Sequence, residues 1–589
     1  MSDEFAFKWR VLEPWHEPDG LSLFSRAGNI FTWKDMLEHH PSSPLSRYIG
    51  QVREWGFNAM ALYADPEGNL EAMRSFAEYL KENGIGMIIR REWCETESGR
   101  SWPVQMSDGR PRSSRKLCPY SEEVEAYWKK RVARDFETMP DLLGYRMNGT
   151  EFYFINGAPW MCDCPTCTGK TGRVRVRDAI RLVAKLLGEY GGTLFWEMCQ
   201  DDPWGQRHEA HYFRDLTGEI PENAFALLKR YYWDYHPGYP PHPLYDTITK
   251  DAEGRSPYVT SIQEPGEYRG VHSFPWCMVD EWSEALRDMV ETGQQGLWVM
   301  TIVHPEGWDH ALNMVNWHAI SRYMREPLAD PHEITLSWAR ESFGDEAAPV
   351  VATVLERVTE AGKGMYLFDM LWTSNHSRFP TLEYLDAHLC GPDRQTRRMA
   401  GMMGMAWPLD MYTPERAEQF RADPKMRLLF NQVPITQRLK AEAMAQKEGA
   451  VRSMEEAVAL WKCLKGKVNE EVYDKILAGL EGNRSDAVIF RYGMELYMDL
   501  KLGELTEAKI DGALEACRDL KGVVVPEPLE IPEETESGPG IQQPVSLASF
   551  AEQLRRELRE PWLERFHQEQ PLGLSSRKRA VRDPRASTR

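Results

Sequence analysis

The sequence predicts an α/β fold, a (β/α)8 TIM barrel, followed by an all-α C-terminal domain. Three observations carry this expectation. Up to about residue 330, eight short apolar runs are separated by stretches with helical spacing of their apolar residues. The crossovers are long enough for parallel pairing, and eight strands are the number that closes such a barrel. From about residue 331 the periodicity is helical, with no sustained alternation.

In chain order the strand runs are Phe7 to Leu12, Asn58 to Tyr63, Gly86 to Arg90, Leu143 to Met147, Thr193 to Met198, Phe225 to Arg230, Tyr258 to Ile262 and Leu297 to Val303. Helical patterns at 46–55, 70–83, 121–138 and 176–190 supply crossovers between them. The expected units are a catalytic barrel over 1–330, a helical domain over 331–522, a Pro/Glu-rich linker over 523–549, a terminal helix within 550–574 and a disordered basic tail over 575–589. Within the helical domain the pattern divides into segments near 332–343, 346–363, 413–421, 434–448, 453–464, 469–481, 484–501 and 506–520. The last amphipathic stretch runs from about 548 to 567.

Composition narrows the function classes. The 589 residues carry a formal net charge of −19 at pH 7, and a body this acidic repels phosphate backbones, so nucleic acid is not an expected partner. No run of 18 apolar residues exists, and Met1-Ser2-Asp3-Glu4-Phe5 shows no basic region leading into an apolar core. A cytoplasmic protein without a membrane partner is expected. Among the ten Cys, Cys162, Cys164 and Cys167 form a C-x-C-x-x-C cluster. A zinc knuckle would need a fourth ligand, such as Cys118 or a His. No partner pair has the usual spacing, so reduced thiols are expected and no metal or cofactor is assigned.

In a parallel barrel the chemistry lies at the C-terminal ends of the strands. Glu13 to Gly20 follow the first run and Asn148 to Phe152 the fourth. Tyr231 to His236 follow the sixth, Gln263 to Arg269 the seventh, and His304 to Glu306 the eighth. Carboxylates interleaved with Trp and Tyr suit glycoside hydrolysis. One carboxylic acid protonates the leaving oxygen, a second carboxylate activates water or attacks the sugar, and flat aromatic faces stack on it.

Several segments of this rim resemble glycoside hydrolase family 67, the α-glucuronidases. They are WRVLEPWHEPDGLSLFSRAG (9–28), CPYSEEVEAYWKKRVARDFETMPDLLGYRMNGTEF (118–152), YGGTLFWEM (190–198), LLKRYYWDY (227–235), IQEPGEYRG (262–270) and NMVNWHAISRYMREPLADPHEITLSWARESFG (313–344). The resemblance starts at the barrel, and the family's N-terminal β-sandwich has no counterpart in this sequence.

By position it implies Glu151 as general acid, Asp234 as one base-side carboxylate, and Glu264 or Glu267 as the other. Glu264 follows Gln, and Glu267 precedes Tyr, each as the family's residue does. The resemblance also implies substrate binding by Lys229, Trp15 and Arg26, an inverting reaction on an α-linked sugar, and a homodimer through the helical domain. Two positions depart from the family. Glu197 stands where an Arg faces the uronate, and Met147 replaces a Lys, with Arg146 one step before it. Trp233 and His304 complete the expected substrate-binding set.

The expected function is therefore an exo-acting, α-glucuronidase-like glycosidase acting on oligosaccharides. A non-hydrolytic carbohydrate-binding barrel is one alternative. A lyase or metal-assisted carbohydrate enzyme using His16, His236, His272 or His304 is another.

Overall fold

The structure is a computed structural model. It describes residues 5–14, 33–63, 69–93, 118–148, 165–168, 170, 172–198, 220–230, 245, 256–263, 274–301, 312–368, 371–373, 435–522 and 546–559, with a few single positions between 379 and 422. Eight parallel strands close into a barrel in sequence order. They are β1 (Trp9–Pro14), β2 (Ala59–Tyr63), β3 (Gly86–Glu92), β4 (Leu142–Asn148), β5 (Thr193–Met198), β6 (Ala224–Lys229), β7 (Tyr258–Gln263) and β8 (Gly296–Thr301). Closure is made by β1, which pairs with β2 through Val11 and Leu12 and with β8 along its whole length. All eight expected strands are present, shifted at their ends by up to two residues.

The surrounding helices follow from their apolar spacing. After β1 come α1 (Trp33–Glu38) and α2 (Pro44–Trp55); α3 (Leu70–Glu82) follows β2 and α4 (Glu122–Thr138) follows β3. Leu45, Tyr48, Ile49 and Val52 of α2 lie one or two turns apart and are all buried against the barrel. Its start is capped by the Ser43 side chain, which accepts a hydrogen bond from the Ser46 amide, and Gly56 ends it in the left-handed conformation. Beyond β4 lie α5 (Pro165–Thr168) and α6 (Gly172–Gly188). Next come α7 (Val279–Glu291) after β7 and α8 (Met314–Arg325) after β8.

Strand β4 carries an irregularity that decides which side chains face inward. Its pairing with β3 skips Leu143, so that Met87 opposes Leu142 but Ile88 opposes Gly144. A bulge of this kind turns the following residues by half a pleat. Gly144 takes φ 141°, and a Cβ there would lie 1.8 Å from the Thr193 carbonyl oxygen. Only glycine meets both demands. As a result Arg146 stands in register with Arg90 on the neighbouring strand.

Alternation then separates adjacent charges onto opposite faces. Arg90 reaches Glu13 of the non-adjacent strand β1, a contact that runs through the barrel interior. Arg91 points outward, where its Nη2 lies 2.6 Å from Asp135 of α4. The Tyr145 hydroxyl donates to the same carboxylate at 2.7 Å. Arg230, just past β6, likewise reaches Asp288 of α7 at 2.9 Å.

Beyond the barrel the chain is mainly helical: α9 (Pro331–Phe343), α10 (Ala348–Tyr366), α11 (Gln437–Lys462), α12 (Glu470–Lys501), α13 (Glu507–Cys517) and α14 (Leu547–Arg559). Two expectations are corrected here. The segments near 434–448 and 453–464 are one helix, as are those near 469–481 and 484–501. The breaks expected around Gly449 and Gly482 do not occur, because packing outweighs a single glycine's helix propensity. Ala450 lies against Gly364 of α10 where only small residues fit. Leu480 and Ala487 continue one buried face across Gly482. A two-stranded antiparallel pair, β9 (Leu367–Phe368) with β10 (Leu371–Trp372), also interrupts the helical run. The linker positions 523–545 and the tail 575–589 lie outside the described residues. No described helix is long and apolar enough to cross a membrane.

Lys447 of α11 is buried, and its ammonium donates to the carbonyls of Gly364, Met365 and Leu367 at 3.0, 2.6 and 2.9 Å. These are carbonyls at the end of α10 that the helix itself leaves without a donor. Burial pushes the Lys447 ammonium down to about 7. Between about pH 7 and the ordinary lysine value, the unfolded chain therefore binds more protons than the folded one, and stability rises with pH over that window. Thermal melts of the wild type and Lys447→Met across this range should show the wild type's advantage widening as pH rises. A constant or narrowing gap would contradict this.

Candidate active site at the barrel mouth

The interior of the barrel is filled in two tiers. At the N-terminal end the rings of Trp9, Phe195 and Phe225 meet across strands, with centroids 5.2 Å apart for Trp9–Phe195 and 5.6 Å for Phe195–Phe225. Trp298 tilts onto Phe195 from above at 5.1 Å. This aromatic plug makes the barrel a packed core rather than a pore.

The second tier, toward the C-terminal ends, is charged. Glu13 lies near the end of β1 and is 2% exposed, yet it meets three groups from three other strands. Trp298 Nε1 donates to its Oε2 at 2.6 Å. Arg90 Nη1 lies 3.4 Å from Oε1, and Arg146 Nε lies 3.4 Å from Oε2. Arg146 also reaches across to β5, where its Nη2 is 2.7 Å from Glu197 Oε2. Lys229, the last residue of β6, is buried at the same end of the barrel.

Four strands thus contribute to one ionic network, with Arg90 and Arg146 against Glu13 and Glu197. A buried carboxylate is stable only when cations or hydrogen-bond donors compensate its lost hydration. The Arg146–Glu197 contact contributes this compensation to an acid that is 1% exposed.

The sequence-predicted site residues divide sharply. Arg146, Glu197 and Lys229 are placed, all buried at the C-terminal end of the barrel, and Arg146 and Glu197 face one another. Glu151, Asp234, Glu264, Glu267, Trp15, Arg26, Trp233 and His304 lie outside the described residues. So do His16, His236, His272, Cys162 and Cys164. The strand ends nearest them are described. Glu151 follows the end of β4 by three positions, Asp234 the end of β6 by five, and Glu264 the end of β7 by one.

Sequence reasoning did not single out Arg90 or Trp298, and read Glu13 only as one rim residue among several. A signal existed for two of them. Glu13 directly follows the first run and Arg90 ends the third, and strand alternation puts Glu13 on the side of Val11 and Arg90 on the side of Ile88. Cys118, a fourth-ligand candidate for a metal, is buried. Among the described residues no three His, Cys, Asp or Glu side chains converge to hold a metal ion.

A parallel barrel plugged at its base and charged near its C-terminal mouth belongs to the class of (β/α)8 proteins that place their chemistry at that mouth. Residues 6–320 match the glycosyl hydrolase family 67 middle domain. The chain belongs to that family.

Among its relatives, the α-glucuronidase of Hypocrea jecorina is 22% identical over 488 residues, covering 74% of this chain and 54% of its own length. α-Glucuronidase A of Emericella nidulans is 22% identical over 448 residues, covering 66% of this chain and 50% of its own. The chain therefore spans about half the length of the curated relatives it matches. A solved GH138 enzyme targeting pectin rhamnogalacturonan II superposes with a TM-score of 0.51 at 12% identity, over 87% of this chain and 75% of that one. At that identity the likeness speaks to the fold alone.

Proposed function

We propose that this protein is a glycoside hydrolase that removes an α-linked sugar, in the manner of an α-glucuronidase, with inversion at the anomeric carbon and from the end of an oligosaccharide. The observation that carries the reading is family membership over the whole barrel, with acidic residues following the C-terminal ends of β4, β6 and β7. The charged tier supports an acidic sugar. Arg90, Arg146 and Lys229 all stand at the C-terminal end of the barrel, and cations there suit the binding of a sugar carboxylate.

In this reading Glu151, as the neutral acid, donates its proton to the glycosidic oxygen as the bond to the anomeric carbon lengthens. Asp234 together with Glu264 or Glu267 accepts a proton from a water on the opposite face, whose oxygen forms the new bond. Inversion calls for acid and base carboxyls about 6.5–9.5 Å apart, leaving room for that water. It also calls for opposite protonation states at the two sides, which environments that push the carboxyl pKa values apart would supply. Lys229, the last residue of β6, binds the sugar in this reading.

The test is a panel of α-linked uronides and neutral α-glycosides, with the first-formed anomer read by proton NMR. Release of the β-anomer from a terminal α-linked uronic acid is the expected result. The α-anomer appearing first would contradict inversion, and calorimetric binding without hydrolysis across the panel would contradict the hydrolase reading.

A further inference from the structure

Helix α6 and the residues leading into it depart from the charge of the molecule. Positions 165–188 carry six Lys and Arg and a single acid, Asp178, in a chain whose net charge is −19. The topology places these cations. α4 and α6 each lead by a short connection into the base of the next strand, so both helices run away from the barrel mouth. The Tyr120 hydroxyl, just ahead of α4, donates to Asp178 Oδ2 at 2.7 Å. Lys185 Nζ lies 3.3 Å from Glu125, in the first turn of α4. The start of α6 is thus offset from that of α4 by about six residues, and it stands roughly 9 Å nearer the mouth.

Around Asp178 the cations gather. Arg177 Nε lies 3.3 Å and Arg181 Nη1 3.8 Å from its Oδ1. Lys170 Nζ lies 3.6 Å from Oδ2 and 4.1 Å from the centre of the Tyr120 ring. Val176, Ala179, Ile180 and Val183 take the buried face of α6, which leaves Arg177, Arg181 and Lys185, spaced one turn apart, as a stripe on the other. The side chains of Lys170, Arg181 and Lys185 are 36%, 41% and 65% exposed. Ion pairs this exposed carry little net energy, so these cations exchange one carboxylate for another at small cost.

We propose that the stripe from Lys170 to Lys185 is a docking surface for a glycan that carries carboxylates along its chain. It holds the polymer beside the barrel mouth while a terminal sugar enters the barrel. Charge complementarity selects the partner, because repeated carboxylates meet cations repeated at each helical turn. Each contact is weak, and a polymer gains by making several at once. The glycosidase reading enters only in making the partner a glycan.

The test uses the full chain and polygalacturonate, a polymer of linked uronic acids, with its fully methyl-esterified form as the uncharged counterpart. Calorimetry at low salt should show binding of the acid and none of the ester, and added salt should weaken it. Lys170→Gln combined with Arg181→Gln should lower the affinity about 3- to 10-fold, as expected for two exposed ion pairs. Lys170→Arg combined with Arg181→Lys keeps both charges and should bind as the wild type does. Arg438→Gln combined with Lys462→Gln removes two exposed charges from α11 and should leave the affinity unchanged.

Equal weakening by the α6 and α11 pairs, equal binding of acid and ester, or full affinity after loss of Lys170 and Arg181 would overturn the proposal. So would double-stranded DNA competing as well as polygalacturonate, since the stripe would then take polyanions regardless of sugar. Polymer binding at this stripe without cleavage of any glycoside would fail the glycosidase reading and leave the docking surface standing. Cleavage without polymer binding would fail the docking surface alone.

Discussion

With Glu151 as the proposed general acid, Glu151→Gln should lower kcat by at least about 10²-fold on every glycoside the protein cleaves, the low end for loss of such a group. The amide keeps the size of the side chain but has no proton to give to the departing oxygen. The loss should therefore scale with the basicity of the leaving group. A sugar hydroxyl, which leaves poorly without protonation, should suffer most, and a nitrophenolate, already a good leaving group, least. The basic limb of the pH profile should vanish with the acid that causes it. Steady-state assays on one aryl and one natural-type substrate separate these outcomes. Undiminished turnover of both would remove Glu151 from the mechanism.

Arg146→Met should cost about 3 kcal/mol of stability, the low end for breaking a buried ion pair by deleting one partner. Methionine keeps much of the side-chain volume, so the loss reads charge rather than a cavity. Glu13 keeps Arg90 and the Trp298 indole, but Glu197 loses the guanidinium 2.7 Å away. Because the lost ion pair is the cause, Arg146→Met combined with Glu197→Gln should recover part of the loss, and the coupling in a double-mutant cycle should exceed about 1 kcal/mol. Denaturant midpoints of the four proteins provide the measurement. Additive effects would mean that the 2.7 Å contact contributes no net stability.

Much of the architecture was legible in the chain. The strands of a parallel barrel are covered on both faces, so they stand out as short apolar runs, and Tyr258 to Ile262 or Leu297 to Val303 need no further clue. The crossover helices show one apolar stripe, as in Ala72, Met73, Phe76, Ala77 and Leu80 of α3. The family segments were likewise readable, because order and spacing survive where identity is low. Less legible was the route of the long helices. Gly449 and Gly482 look like breaks until the packing that spans them is seen.

The charged tier was legible only in fragments. Arg146 and Glu197 could be picked out as departures from a family pattern, but nothing in the sequence pairs them with each other or with Glu13. Their meeting depends on the bulge at Leu143, which sets the inward phase of β4, and on closure, which brings β1 opposite β4 and β5. The packing of Phe274 and Trp276 on Tyr366 of α10 is of the same kind, joining residues more than eighty positions apart.

The sequence by itself determined the number of strands, their order, the helices that flank them and the family. Each of these is encoded in local periodicity and in the spacing of short segments, which need no partner to be recognised. Only the tertiary structure decided which charges neutralise one another inside the barrel, and which helix packs on Phe274 and Trp276. Those outcomes depend on the closure of eight strands and the packing of distant helices, and a one-dimensional pattern cannot specify distances that exist only after the chain has folded.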